Sequence, residues 1–300
     1  MGSIGTPLLM SAAGLVVLVI GLFAAKNEIA EAGGVDKIVA LANVCFAIPL
    51  AVFGAEHFAR EQFLLTMVPS YMPWRVFWLY FVGLALIAAS VSIAAKIQVS
   101  WSGVLVGLMM FLFVAMLYLP GAVVTGNRIA WTVAFRESSF GGAGWVLAGT
   151  EMGGLRGHGR WLITVGRVLI AMATIFFGIQ HFLHPLGLPG VPLVKLMPAW
   201  IPERAVIDYL TGAFLIVAGV CFLLGRKTRL AATYLGAWIV LLVLVIYGPV
   251  LIGGLADPST AAQVEGLSYF ADTLLFGGAI LSLARAAILV HGHVVRGELS

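Results

Sequence analysis

The sequence predicts an all-α protein that crosses a membrane about nine times, and three observations support this prediction. The chain is 61% hydrophobic, and its mean hydropathy is +1.06. Only 10% of its residues are charged, whereas soluble domains carry about a quarter. Nine apolar runs approach or exceed the roughly 20 residues that a helix needs to cross the hydrocarbon core. Four of these runs recur in order later in the chain, which indicates an internal duplication.

The nine predicted spans are separated by short polar or Pro-rich segments. They cover residues 8–25, 38–59, 76–95, 100–124, 129–149, 161–183, 205–225, 230–252 and 267–290. The fifth is the most polar, because Arg136 and Glu137 interrupt it. No basic segment precedes the first run, so we interpret it as a retained span rather than a cleaved signal peptide.

Nine spans place the two termini on opposite sides of the membrane, and the basic residues predict which side is which. One side carries Lys26, Lys37, Lys96, Arg156, Arg160, Arg226, Lys227, Arg229, Arg285 and Arg296. The other carries Arg60, Arg75, Arg128, Lys195 and Arg204. Cytoplasmic loops are richer in Lys and Arg. We therefore expect a bacterial-type plasma membrane protein with its N-terminus outside and its C-terminus in the cytoplasm.

Five short segments of the first half recur in the same order in the second half. The matches are Phe53–Phe58 with Phe177–Phe182, Val68–Pro73 with Met197–Pro202, Tyr80 and Gly83 with Tyr209 and Gly212, Tyr118–Pro120 with Tyr247–Pro249, and Phe140–Ala143 with Phe276–Ala279. The offset between matches rises only from 124 to 129 to 136, as short loop insertions would produce. Spans two to five thus correspond to spans six to nine. Because four spans is an even number, the two units share one orientation, with a pseudo-two-fold axis near the membrane normal.

This repeat divides the chain into four predicted parts. Residues 1–35 hold an extra N-terminal span, and residues 36–152 form the first four-helix unit. A Gly-rich, basic cytoplasmic linker covers 153–160, and the second four-helix unit covers 161–300.

The same motifs resemble those of the DoxX family. They are FGxxHF, the Pro-aromatic-x-Pro loop, the Tyr/Gly pair and the Tyr-x-Pro end, and they cover roughly residues 38–290 twice over. The resemblance implies two four-helix membrane bundles. The family's namesake is a subunit of a terminal quinol oxidase and thiosulfate:quinone oxidoreductase system. The resemblance therefore implies an accessory or quinone-interacting subunit of an oxidoreductase system, with other membrane or periplasmic subunits and the lipid bilayer as partners.

Polar residues gather at the span ends that are predicted to face outwards. The candidate pocket residues are Glu56, His57, Gln180, His181, His184, Tyr118 and Tyr247. Ionisable groups within spans are costly and mostly face the bundle interior, which makes them functional candidates. His and Tyr can hydrogen-bond the two carbonyls of a quinone headgroup, and Glu56 can exchange its protons. A bound quinone is the cofactor that we predict, although His57 and His181 can equally be helix-end residues that donate to a loop carbonyl.

Two further alternatives stay open, and so does the question whether the chain is an enzyme. In one, His57 and His181 lie at equal depth on repeat-related helices and ligate a metal ion or a b-type haem, with His184 as a further ligand. In the other, the chain is a non-catalytic scaffold or lipid-binding subunit whose pocket holds an acyl chain. Cys45 and Cys221 stand alone in apolar stretches, so no thiol redox or zinc motif is present. The thinly spread basic residues exclude a nucleic-acid footprint.

Arg136 and Asp272 occupy equivalent positions in the two units but carry opposite charges. If their helices meet near the pseudo-two-fold axis, the two side chains form a buried ion pair that fixes how the units dock. The neighbouring pairs Gly141–Gly142 and Gly277–Gly278 would allow the helices to approach closely.

Overall fold

The computed structural model describes residues 5–153 and 157–295. The structure is 83% helical, and the part that it describes contains no β-strand, so the all-α prediction is confirmed. We number the nine long helices in chain order. They are α1 (Gly5–Glu31), α2 (Ala42–Ala59), α3 (Arg75–Ala95), α4 (Val99–Thr125), α5 (Arg128–Glu151), α6 (Gly157–Leu183), α7 (Arg204–Leu224), α8 (Thr228–Ala256) and α9 (Thr260–Val295). Short helices Asp36–Ala40 and Glu61–Leu65 lie beside α2.

Eight of these helices are long and apolar enough to cross a membrane, and α5 is the exception. Helix α5 has 24 residues and matches the fifth predicted span, but it contains Arg136 and Glu137. It packs against α4, α6 and α9. Protein rather than lipid therefore surrounds its polar side chains, and Thr132, Glu137 and Ser139 are buried. The structure shows a multi-pass membrane protein with a polar helix in its interior.

Apolar side chains on the outer surface indicate contact with lipid. Large hydrophobic residues on α3, α4, α7 and α8 are more than half exposed, among them Leu84, Leu105, Val217 and Leu244. Such a surface is unfavourable in water but matches the hydrocarbon interior of a bilayer.

Helices α2 to α9 pack into one closed ring. Each helix contacts the next along the chain, α9 packs back on α2, and α5 contacts α9 across the ring. Helix α1 lies outside the ring against α2, α3 and α9. The contacts α5–α6 and α9–α2 join the two predicted units and are equivalent under the repeat. The two units therefore contact each other along two equivalent interfaces.

Glycines allow both of these inter-unit contacts. A Cβ atom on Gly142 would lie 2.8 Å from the carbonyl oxygen of Gly166, and one on Gly278 would lie 2.5 Å from the backbone nitrogen of Phe46. Real Cβ atoms do not approach backbone this closely. The prediction that these glycine pairs bring α5 and α9 together is therefore wrong. Gly142 faces α6 and Gly278 faces α2, whereas Gly141 and Gly277 face Phe111 of α4 and Ile239 of α8.

The two units repeat in geometry as well as in sequence. Helices α3 and α7 have 21 residues each. A π-helical turn interrupts α4 at Val114–Tyr118 and α8 at Val243–Tyr247. The matching aromatic stacks are Phe58 on Tyr80 and Phe182 on Tyr209, with ring centroids 5.5 and 5.6 Å apart.

The predicted linker is shorter in the structure than in the sequence prediction. Helix α5 ends at Glu151 and α6 begins at Gly157, so Gly157–Arg160 form the first turn of α6. Residues 154–156 of the linker lie outside the described residues, as do Arg156 and Arg296 of the predicted cytoplasmic charge set.

Candidate functional site

The predicted pocket residues lie at one end of the ring, where α2 and α6 end and α3 and α7 begin. We call this the histidine end. The side chains there form two groups instead of the single pocket that the sequence suggested. One lies mainly in the first unit and includes Asp272 of the second, and the other lies in the second unit. We call the first group the first-unit cluster, and its members are Glu56, Arg60, Tyr118, Arg136, Glu137 and Asp272.

Arg136 is the centre of the first-unit cluster. Its Nη1 donates to Asp272 Oδ2 over 2.7 Å, so the suggested contact between these residues is present. Its Nε and Nη2 donate to Glu137 Oε1 over 3.1 and 2.7 Å. Sequence reasoning gave Glu137 no partner. At the end of α2, Arg60 donates to Glu56 over 2.5 Å.

The first-unit cluster contains more negative than positive groups. Glu56, Glu137 and Asp272 are all buried. Arg60 and Arg136 supply the two positive charges. A buried charge without a partner is strongly unfavourable. A bound proton, or a hydrogen-bond donor on a ligand, would complete the cluster.

Tyr118 brings a hydroxyl group to these charges. It is half-buried at the end of the π-helical turn in α4, a helix distortion that often occurs at functional sites. It lies close enough to interact electrostatically with Glu137, Arg136, Asp272 and Glu56. Its hydroxyl makes no hydrogen bond to any described residue. A ligand that offers an acceptor can therefore bind it without displacing a protein contact.

His57 lies beside Glu56 at the end of α2. Its Nδ1 is 2.8 Å from the carbonyl oxygen of Phe53, one turn back in the same helix. A carbonyl oxygen can only accept, so Nδ1 carries the proton and Nε2 of the neutral ring presents its lone pair. One prediction was that His57 donates to a carbonyl of the adjoining Pro-rich loop. In the structure the carbonyl belongs to Phe53 of the same helix.

The second group is built around His181, which is 1% exposed. Its Nδ1 lies 2.9 Å from Oδ1 of Asp208, which is fully buried, although the two atoms are not well aligned for a hydrogen bond. Nε2 of the same ring lies 3.1 Å from the Gly190 nitrogen and 3.3 Å from the Gly190 carbonyl oxygen. With the ring proton on Nδ1, towards Asp208, Nε2 accepts from the Gly190 N–H. Nearby, the Tyr247 hydroxyl donates to the carbonyl oxygen of Pro189 over 2.8 Å.

The loop that carries Pro189 and Gly190 is inserted into the protein interior. The offset between the units rises from 124 before this loop to 129 after it, so the loop is five residues longer than its first-unit counterpart. Its residues 188–191 are buried. Gly190 has φ of +111°, and a Cβ atom there would lie 3.2 Å from Thr273 Cγ2. We call 188–191 the inserted loop.

The remaining candidates are Gln180 and His184, which make none of these hydrogen bonds. Gln180 is buried, and its Oε1 has no hydrogen-bond partner among the described residues. His184 is exposed and lines a cavity of about 340 Å³ together with His181, Arg128 and Pro192, beside the inserted loop. Within residues 5–153 and 157–295, no three His, Cys, Asp or Glu side chains are placed to hold a metal ion.

The contacts of His181 bear on the haem and metal alternative. Both of its ring nitrogens face protein groups, Asp208 on one side and the Gly190 N–H on the other. To ligate iron or another metal, Nε2 would have to leave Gly190 and the inserted loop would have to withdraw. Nε2 of His57 has no hydrogen-bond partner among the described residues, but His181 offers no free ring nitrogen to match it.

Comparisons of the chain with protein-family models, with curated proteins and with solved structures gave no match. The resemblance to the DoxX family stays a prediction based on the repeated motifs.

Proposed function

We propose that this protein is an integral membrane subunit that binds a quinone headgroup at the first-unit cluster, as an accessory or quinone-interacting part of an oxidoreductase system. The observation that carries the proposal is the unpaired Tyr118 hydroxyl beside buried carboxylates that exceed their positive partners. The Tyr118 hydroxyl can donate a hydrogen bond to a quinone carbonyl oxygen. The neighbouring carboxylates can exchange protons with the same oxygen.

Quinone chemistry needs both of these features. Reduction of a quinone to a quinol consumes two electrons and two protons, and the reverse reaction releases them. Tyr118 would orient one carbonyl, and Glu56 or Glu137 would exchange protons with the ring oxygens. The isoprenoid tail would lie along the apolar outer helices. The electrons would come from, or pass to, a partner subunit, and the site would face the extracytoplasmic side.

A non-catalytic scaffold is the second candidate, and the Arg136 contacts favour it. Arg136 on α5 binds Asp272 on α9 and so joins the two units across the ring. A purely structural role for the cluster would account for that contact, but it does not account for the free hydroxyl of Tyr118.

Titration of the purified protein in lipid nanodiscs with short-chain ubiquinone and menaquinone analogues tests the proposal. We expect Tyr118→Phe to weaken binding about tenfold, because one hydrogen bond to the headgroup is lost. Tyr247→Phe is the matched control at the equivalent position, and we expect it to bind the analogues as the wild type does. If the wild type binds no analogue, or if both variants bind as it does, the scaffold function is favoured instead.

A further inference from the structure

The repeat gives each unit a tyrosine and a histidine at equivalent positions. In the second unit these two side chains contact the inserted loop. Tyr118 and Tyr247 end the two π-helical turns. The Cβ atoms of His57 and His181 approach equivalent glycines, since a Cβ atom on Gly83 or Gly212 would lie 2.7 or 3.0 Å from them. The two histidines therefore leave their helices at matching positions.

In the second unit these two side chains bind one peptide group. Tyr247 donates to its carbonyl oxygen, which belongs to Pro189, and the N–H of Gly190 donates to His181 Nε2. The peptide group is planar and offers an acceptor on one side and a donor on the other. The first unit has no such insertion, because its connecting segment is five residues shorter and begins with the helix Glu61–Leu65.

In both histidines an oxygen atom lies against Nδ1, although the partners differ. Leu79 stands at the position equivalent to Asp208, so His57 cannot use a carboxylate there. It uses the Phe53 carbonyl instead, which places the proton on Nδ1. In both rings Nε2 is left as a hydrogen-bond acceptor. The first-unit site is thus matched to a ligand that accepts from Tyr118 and donates to His57.

We infer that the second unit contains a copy of the ligand site that its own inserted loop fills, so that each chain has one open site, and that this open site prefers a quinol to a quinone. The inference rests on the proposed function and makes it specific. A quinone offers only acceptor oxygens, which leave the His57 lone pair without a donor. A quinol offers a hydroxyl that donates to His57 and an oxygen that accepts from Tyr118.

Calorimetric titration of the full chain in nanodiscs, with a short-chain quinol under reductant and with its oxidised form, tests the inference. We expect one equivalent per chain and about tenfold tighter binding of the quinol, the effect of one additional hydrogen bond. His57→Ala should remove this preference, whereas His181→Ala should retain it. Two equivalents in the wild type, no preference, or a preference that depends on His181 would overturn the inference.

A second measurement examines the inserted loop independently of the ligand. We expect the backbone amides of residues 188–191 to exchange slowly with deuterated solvent in the wild type and faster in Tyr247→Phe. Gly190→Val, which cannot keep the positive φ easily, should release the loop and raise the stoichiometry to two. Fast exchange in the wild type would overturn the self-filled site even if quinol binds. Slow exchange without any binding would instead contradict the proposed quinone function and the quinol preference.

Discussion

At the scale of single residues, Arg136 has the largest set of polar contacts at the histidine end. It binds Glu137 and Asp272 at once, and all three side chains are 13% exposed or less. The sequence suggested Asp272 as a partner because of the repeat, but Glu137 is the next residue along the same helix. Neighbouring residues on a helix point in different directions. The long Arg136 side chain nevertheless places its guanidinium within hydrogen-bonding distance of Glu137.

We expect Arg136→Ala to lower the free energy of unfolding by about 3–5 kcal/mol, because it leaves buried carboxylates without a positive partner. The measurement is chemical unfolding in detergent, followed by circular dichroism. Arg229→Ala is the control, since Arg229 pairs with Asp36 at the surface and both side chains are well exposed. Such a pair contributes at most about 1 kcal/mol.

Because Glu137 is also a partner of Arg136, removing Asp272 as well should not fully restore the stability that is lost with Arg136. Arg136→Leu with Asp272→Leu should recover only part of the loss, because Glu137 stays buried and unpaired. Adding Glu137→Gln should recover more. If the effects of Arg136→Leu and Asp272→Leu simply add, the two residues do not interact in the folded protein.

At the scale of helices, the fifth predicted span shows how burial changes what a membrane helix can contain. Helix α5 is too polar to qualify by composition. It is nevertheless a continuous helix in the interior, because α4, α6 and α9 cover it. Its glycines allow this covering, since they bring neighbouring backbones close enough for dispersion contacts to hold the helices together.

We expect Gly142→Ala to separate α5 from α6 and to destabilise the protein by about 1–3 kcal/mol, as overpacking does in a close-packed core. The added Cβ atom would lie 2.8 Å from the backbone oxygen of Gly166, which cannot move aside. Gly121→Ala in α4 is the control, because no atom lies within 4 Å of its new Cβ. Thermal unfolding of both variants decides the comparison, and equal melting temperatures would refute the close contact.

At the scale of the whole molecule, the ring orders the helices but does not by itself orient them in the membrane. The basic residues predict that the histidine end is extracytoplasmic. We expect a reporter fused after Ser300 to be cytoplasmic and one inserted near Asp257, between α8 and α9, to be external. Reporters on the same side would contradict the nine-span topology and would move the candidate site to the other face.

The sequence by itself determined the helical class, the positions of the long helices and the internal repeat. These features depend on local properties, namely the length of apolar runs and the recurrence of short motifs. Both properties can be identified directly in the sequence. The increase of five residues in the offset between the units was visible too, but the sequence did not show that the extra residues enter the protein interior. The domain limits and the DoxX resemblance remain predictions of the sequence alone.

Tertiary structure decided which polar residues meet. It divided the candidate pocket into two groups, placed Asp208 against His181, and filled the second group with the inserted loop. The physical reason is that these contacts join residues far apart in the chain, and their geometry depends on how the helices pack. Tyr118 and Tyr247 have the same sequence context, yet one hydroxyl is bound and the other free, because only one of them has a loop folded against it.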